Sequence, residues 1–383
     1  MTTALTENMS KNYSTLIQPI QAALPRVDAV HAMLGFDGAV DVICQPVATR
    51  QGSGPQFRPY GAMRDFGQRV VDADGKSAII EIVNELEKIG GNGPVMANAL
   101  AAAGVAVDYI GPLGQPDLHP VYAEFAQGIR VHSVAQPAVT HALEFPNGKL
   151  MLASISSYDS IDAAGLAASI GQEVMLDLIR QSQLCCLLNW TCLPGFNSIL
   201  SWYLEILLPA VGHDPQRIFF FDLADPSMRS DAELRQVLDL ISGFNAFGRV
   251  MLGMNLNEAQ QVCRALQLPV PASEHTSLCA ALAAIRQALA LDTAMAHPTD
   301  FAACATAAGS WAVDGPHTDR PRITTGAGDH LNAGFCLAQA LNFSPEDALK
   351  LGVLFSGYYV RKAQPPSLND MLQFIPDLLR DEH

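Results

Sequence analysis

Four consecutive residues near the end of the chain, Gly326-Ala327-Gly328-Asp329, carry its most specific chemistry. They lie in ITTGAGDHLNAGFCLAQAL, residues 323–341, where a strand end runs through small residues straight into an apolar helix. Successive small residues let backbone N–H groups converge at the helix N-terminus, where the helix dipole favours an anion. An acid in the first turn of such a helix is badly placed to bind an anion and well placed to take a proton. A carboxylate at Asp329 can remove a hydroxyl proton while the amides of Gly326, Ala327 and Gly328 stabilise charge on a phosphoryl group in transfer. The same four residues also suit a plain turn in which Asp329 only favours the helix start.

A second segment has related features. KIGGNGPVMANALAAAGVAVDYIGPLG, residues 88–114, places two glycines and Asn92 before a small-residue helix, followed by a short strand ending at Gly111. Further on, S-P-E-D-A-L-K-L-G at 344–352 reads as a helix start, with Ser344 as N-cap, Pro345 at the first position and acids in the first turn.

These segments need a frame. From about residue 28, short apolar runs bounded by Gly, Pro, Asp or Asn (HAMLGF, VDYIGPL, LCCLLNW, IFFFDLA, RVMLGMN, DTAMAHP) read as strands. Between them lie amphipathic stretches that read as helices: SAIIEIVNELEKI, VMANALAAAG, FNSILSWYLEILLPAV, DAELRQVLDLISGF and SLCAALAAIRQALAL. The alternation predicts an α/β protein, a doubly wound and mostly parallel sheet with helices on both faces. VICQPVATR at 42–50 and VHSVAQPAVTHALEFPNGKLMLASI at 131–155 break the rhythm as extra strands, with a hairpin turning at Pro146-Asn147-Gly148. They suggest a small β lid near the carboxyl ends of the main strands, where ligands of open α/β sheets bind; an extra edge sheet without function is the plainer alternative.

With 49% hydrophobic and 16% charged residues over 383 positions, the chain can bury a large core. Its net charge of -15 opposes binding to nucleic acid or an anionic membrane, which leaves small-molecule partners. The eight cysteines form no C-x-x-C pair and sit in apolar runs, as buried thiols of a reducing, cytoplasmic compartment do. No leader pattern opens the sequence, and no apolar run reaches the roughly 18 residues of a membrane span. Gly75-Lys76-Ser77 is no phosphate-binding P-loop, because Val70 stands where the first glycine belongs. Cys185-Cys186 reads as structural, and His31, His119, His132 and His141 lack metal-ligand spacing.

GGN in the first quarter and TTGAGD near the end, in that order, resemble the two signatures of the ribokinase-like (PfkB) carbohydrate kinases. The likeness runs from about residue 30 to 365. It implies phosphoryl transfer from ATP, with Mg2+, to a hydroxyl of a sugar or sugar-like molecule, with Asp329 as base and 326–328 as anion hole. Asn255 and Glu258, in LGMNLNEAQQV, match an N-x-x-E element that organises metal and phosphate, mostly through water. Taken alone, that spacing equally suits a helix capping box. Asp41 matches an acid that binds sugar hydroxyls, as a carboxylate accepting from two neighbours can. Asp37 either shares that role or stabilises a turn. Gly91 and Asn92 match the sugar-side signature, and Thr325 and His297 fall on the nucleotide side. Exposed edges of the lid strands suit pairing between subunits, so a homodimer is expected.

The chain departs from the pattern in two places. Val95 stands where the signature has a second Asn, and MAHPTDFAAC replaces the T-x-G-x-x-G nucleotide loop. The His-Pro-Thr stretch, HALEF and G-F-x-x-x-x-D resemble the ADP-dependent sugar kinase branch instead, which keeps ADP beside ATP as donor. The expected organisation is an N-terminal extension, 1–27, and a kinase domain, 28–383, with lid segments at about 42–60 and 115–158. A nucleoside kinase of the same fold, or a binding regulator without turnover, is the alternative. The acceptor's identity, a monovalent-cation requirement and the oligomeric state are not encoded legibly.

Overall fold

The structure, a computed structural model, describes residues 13–50, 52 and 55–381; the first residues of the expected extension lie outside them. Fourteen strands form in chain order: β1 (His31–Gly35), β2 (Ala39–Arg50), β3 (Phe57–Pro59), β4 (Ile82–Gly90), β5 (Ala106–Gly111), β6 (Arg130–Ser133) and β7 (Ala138–Phe145). The remainder are β8 (Gly148–Ser154), β9 (Leu184–Leu188), β10 (Ile218–Asp222), β11 (Arg249–Met254), β12 (Thr293–Ala296), β13 (Phe301–Thr306) and β14 (Gly309–Asp314). Six helices matter here: α1 (Ile17–Ala23), α2 (Met63–Val71), α3 (Asn92–Ala102), α4 (Leu256–Ala265), α5 (Ala327–Ala340) and α6 (Pro345–Lys362).

The main sheet runs β14-β13-β12-β11-β10-β9-β1-β5-β6. It is parallel from β6 to β12 and ends in two antiparallel strands, β13 and β14. Its middle strands β9 and β10 are buried along their whole length because both faces are covered: in β10, Phe219 and Phe221 enter the core on one face, Ile218 and Phe220 the core on the other. Helices α3, α5 and α6 cover the second face, together with Leu16, Ile20 and Ala23 from the start of the chain, while α4 lies on the first. Ser344 caps α6, its Oγ accepting from the Asp347 amide at 3.1 Å, as the sequence predicts. Among the described residues no helix is long and apolar enough to cross a membrane.

The second sheet centres on β2, which pairs with β4 on one side and with β7 and, further along, β3 on the other, β8 completing it. The hairpin expected at 146–148 joins β7 to β8. One element overturns the sequence reading. SAIIEIVNELEKI is not a helix: Ile82–Gly90 is a strand, antiparallel to Ala39–Pro46 of β2. Its apolar residues fit either period, and the β-branched Ile82, Val83 and Ile89 suit the pleated surface that β2 offers. In contrast, Arg130–Ser133, in the stretch expected to join the lid, pairs with β5 of the main sheet. The back of the second sheet is closed within the same chain: Val42, Cys44, Leu143 and Phe145 pack under Tyr60, Met63 and Phe66 of the α2 region.

Candidate active site

Two cavities meet at the glycine turn. One, about 330 Å³, lies between the second sheet and the main domain and is lined by Asp41, Asn92, Asn189, Thr325, Gly326 and Asp329 among others. The other, about 420 Å³, has walls of Pro298, Pro316, Val353 and Val360 and reaches His297, Ala327 and Gly328. The turn and first residues of α5 therefore face one cavity through Asp329 and the other through Gly328.

Local geometry explains the glycines. Gly326 is the N-cap of α5 with φ of 92°, in the left-handed region that favours glycine. A Cβ on Gly328 would lie 2.8 Å from Cε1 of His297, so that ring rests directly on the turn. The Ala327 amide closes back on the Thr324 carbonyl at 3.2 Å. The next two amides are in the first turn of a helix, whose N–H groups have no partner within the helix. The N-terminus of α3 converges on the same place: α3 packs against α5, and Asn92 and Asp329 line the same cavity. Val95, the residue that departs from the signature, sits against Gly326, 3.1 Å from where a Cβ would be.

Asp329 lines the cavity and is half-buried. Burial, reinforced by the like charges of Asp222, Asp37 and Glu258, holds its carboxyl well above the usual carboxylate range. Asp41 stands in a row across the second sheet, Lys88-Asp41-Thr140-Ala153, each residue opposite the next. Its pKa is raised by burial and pulled back by Lys88 and Lys149. Lys149 is itself paired with Glu144 at 3.1 Å and approaches the Thr325 hydroxyl at 3.5 Å.

Asp37 is placed otherwise. It is wholly buried and takes no part in lining the cavity. Its Oδ1 accepts from the Gly93 amide at 3.0 Å, and its Oδ2 from Asn189 Nδ2 at 2.7 Å.

Asn255 and Glu258 form a reciprocal capping box at the start of α4: Asn255 Oδ1 accepts from the Glu258 amide at 2.9 Å, and Glu258 Oε2 from the Asn255 amide at 2.7 Å. Burial, with Asp222 and Asp225 as like charges, pushes Glu258 up to about 8. Asp222, buried at the carboxyl end of β10, is pushed up to about 6 by burial and accepts from Asn332 Nδ2 at 2.7 Å. Among the described residues no three His, Cys, Asp or Glu side chains could enclose a metal ion. This donor set fits a magnesium ion that keeps several waters and is held by one or two carboxylates and substrate phosphates. A divalent cation would also relieve the mutual repulsion of Asp222 and Glu258.

The structure thus brings Asp41, Gly91, Asn92, Thr325, Gly326 and Asp329 around one cavity, and places His297 with Ala327 and Gly328 on the other. Sequence reasoning missed Asn189, Asp222, Lys88 and Tyr359. The first two were within reach: each ends, or directly follows, an apolar run read as a strand, LCCLLNW and IFFFDLA, at the carboxyl edge where such sheets bind ligands. Lys88 was hidden in the segment taken for a helix.

A doubly wound sheet, a second sheet over its carboxyl edge and a glycine turn between two cavities define a carbohydrate kinase of the ribokinase-like fold. A family profile described as prokaryotic ketohexokinase matches residues 12–378, and the chain belongs to that family. It is 27% identical over 351 residues to a ketohexokinase of Haloferax volcanii, covering 91% of this chain and 92% of that one. The fold is shared with Arabidopsis thaliana ribokinase complexed with ribose and ATP: TM-score 0.61, 13% identity, 90% of this chain and 98% of that one. It is shared likewise with adenosine kinase from Sinorhizobium meliloti: TM-score 0.61, 17% identity, 91% and 98%.

Proposed function

We propose that the enzyme transfers the terminal phosphoryl group of ATP to a hydroxyl of a ketohexose or a closely related neutral sugar. The observation that carries this reading is the turn 325–329 standing between two cavities, one bearing the side chains of Asp41, Asn92 and Asn189, the other walled by Pro298, Pro316, Val353 and Val360. A nucleotide base suits the apolar walls of Pro298, Pro316, Val353 and Val360, with its phosphates directed at Gly328. The sugar takes the cavity beneath the second sheet, where Asp41 accepts from its hydroxyls and Gly91 and Asn92 approach it.

Asp329 takes the proton of the attacking hydroxyl. Its raised pKa makes it a stronger base than an ordinary aspartate, and the neighbouring Asn92 side chain favours its ionised form. The amides at the start of α5 stabilise charge on the phosphoryl oxygens. Thr325 flanks that path, and the His297 ring, neutral because burial lowers its pKa to about 4, walls it without adding charge. Mg2+ bound with the nucleotide would neutralise phosphate charge, with Asn255, Glu258 and Asp222 holding it largely through water. The second sheet acts as a lid on the 28–383 kinase domain, excluding water from the transfer. ADP is the alternative donor, supported by the His297-Pro298-Thr299 stretch. The free edge of β8 supports pairing between two lids in a homodimer.

The test is product formation over a panel of ketoses, aldoses and nucleosides, each with ATP and with ADP, and Asp329→Asn as control. Sugar phosphate from wild type and a loss of at least about a thousandfold in the variant are expected. Equal inertness of both proteins on every acceptor overturns the proposal.

A further inference from the structure

The side-chain orientation of Asn189, a cavity residue, is dictated by a buried carboxylate. It follows β9 directly and adopts φ of 63°, a left-handed conformation that Asn tolerates better than most residues. Its backbone amide donates to the Asp222 carbonyl at 2.8 Å. Its side chain is 5% exposed and lines the sugar cavity. Nδ2 donates to Oδ2 of the wholly buried Asp37 at 2.7 Å. Turning the amide over would set its oxygen against that carboxylate oxygen, so the orientation is fixed by charge. The other half of the amide, Oδ1, is buried and has no hydrogen-bond partner. A buried acceptor left unpaired is costly, and one that lines a cavity is a position for a donor from a ligand.

Asp37 is equally committed. The Gly93 amide and the Tyr109 hydroxyl approach its Oδ1 at 3.0 and 3.1 Å, the Tyr109 hydroxyl also donates to the Asp37 carbonyl at 2.6 Å, and Asn189 takes Oδ2. A sugar has no access to it. We infer that Asp37 is a positioning residue that aims Asn189, and that Asn189 Oδ1 accepts a hydrogen bond from one hydroxyl of the sugar and so selects for that hydroxyl. This rests on the sugar-kinase reading of the cavity and deepens it: with Asp41 the other acceptor and Lys149 already paired with Glu144, the acceptor is a polyol with a free hydroxyl at the Asn189 position. A phosphate or carboxylate there would meet an acceptor oxygen.

A series of sugars, each deoxygenated at one carbon, tests this against wild type, Asn189→Ala and Asp37→Asn. In wild type, one deoxysugar is expected to lose roughly ten- to a hundredfold in kcat/KM beyond the others. In Asn189→Ala that same deoxysugar and its parent should fall within about twofold of each other, while the remaining deoxysugars keep their wild-type penalties. Asp37→Asn frees the amide and should raise the KM for the parent sugar with little change in the KM for nucleotide. Equal penalties at every carbon in wild type and Asn189→Ala overturn the assignment. So does an Asp37→Asn protein that lowers sugar and nucleotide binding together, as a merely structural role would. If Asp37→Asn fails to fold, the deoxysugar series with Asn189→Ala decides alone. If wild type phosphorylates no sugar, the kinase reading fails, and the same series read by calorimetric binding still tests Asn189.

Discussion

The Nδ1 atom of His330 lies 2.7 Å from the carbonyl oxygen of Gly326, the glycine that opens the turn between the two cavities. The His330 ring also stacks on Tyr359, with centroids 3.6 Å apart, and the Tyr359 hydroxyl donates to the Thr325 carbonyl at 3.2 Å. Two side chains on neighbouring helices therefore hold residues 325 and 326 from behind. Burial lowers the His330 pKa to about 4, so the ring is neutral near neutrality and its Nδ1–H donates.

Replacing His330 by Phe keeps a ring to stack on Tyr359 and removes the donor. A fall in kcat of about tenfold is expected, the equivalent of one ordinary hydrogen bond, with the KM for sugar little changed. Because the ring stays neutral down to about pH 4, the pH–rate profiles of the two proteins should have the same shape from pH 5.5 upward. A limb between pH 6 and 7 that disappears in the variant would show that His330 itself titrates during turnover.

Asp329 is held among like charges, and removing its charge should stabilise the fold while abolishing the chemistry. A carboxyl whose folded pKa is raised contributes stability below its unfolded pKa that is lost as pH rises through the folded value. Asp329→Asn escapes that loss. Its melting temperature should exceed that of wild type once pH rises past the ordinary carboxylate range, by a margin that grows until the folded carboxyl is ionised, and the two should converge toward pH 4. Thermal denaturation across that range checks it, and a variant less stable than wild type at pH 8 contradicts the electrostatic account.

Gly328 has no room for a methyl group under His297, whose Cε1 would be 2.8 Å away. Gly328→Ala should lower kcat/KM for nucleotide at least tenfold by displacing either the ring or the turn. Adding His297→Ala opens the space, and the double variant should recover part of the loss. Additive losses in the steady-state constants would mean that the two residues act separately.

The parts of the site legible in the sequence were those confined to one short segment. Gly326 to Asp329 lie in a strand end and one helix turn, so type and spacing mark them as candidates, and the GGN segment is needed to favour that reading over a plain turn. Asn255 and Glu258 satisfied two readings at once, and the structure shows the capping box physically made while Glu258 still faces Asp222. Asp37 reads either as sharing the role of Asp41, four residues along, or as stabilising a turn, because nothing in the sequence tells which of two nearby acids faces inward. Asn189 depends on Asp37, far away in the chain, and such a partnership exists only once β1 and β9 lie side by side. The misread segment 77–89 failed for a related reason: its apolar residues fit a helix as well as a strand until β2 supplies an edge to pair with.

The covered back of the second sheet leads to a prediction about the lid. Phe66 packs on Phe145 and Tyr60, with ring centroids 5.5 and 5.6 Å apart, and seals the back of β2, which carries Asp41 on its cavity side. Trimming a partly buried aromatic costs less than the roughly 3–5 kcal/mol of a fully buried one, and the loss falls on a sheet with a small core of its own. Phe66→Ala should therefore loosen the lid without unfolding the main sheet: the KM for sugar rises several-fold, with a smaller change in the KM for nucleotide. Amide hydrogen exchange should quicken in 39–50, 82–90 and 138–154, the strands of the second sheet, while 218–222 in the main sheet keeps its protection. Faster exchange spread evenly over both sheets would show that the second sheet does not open as a unit, and that substrate enters by some other movement.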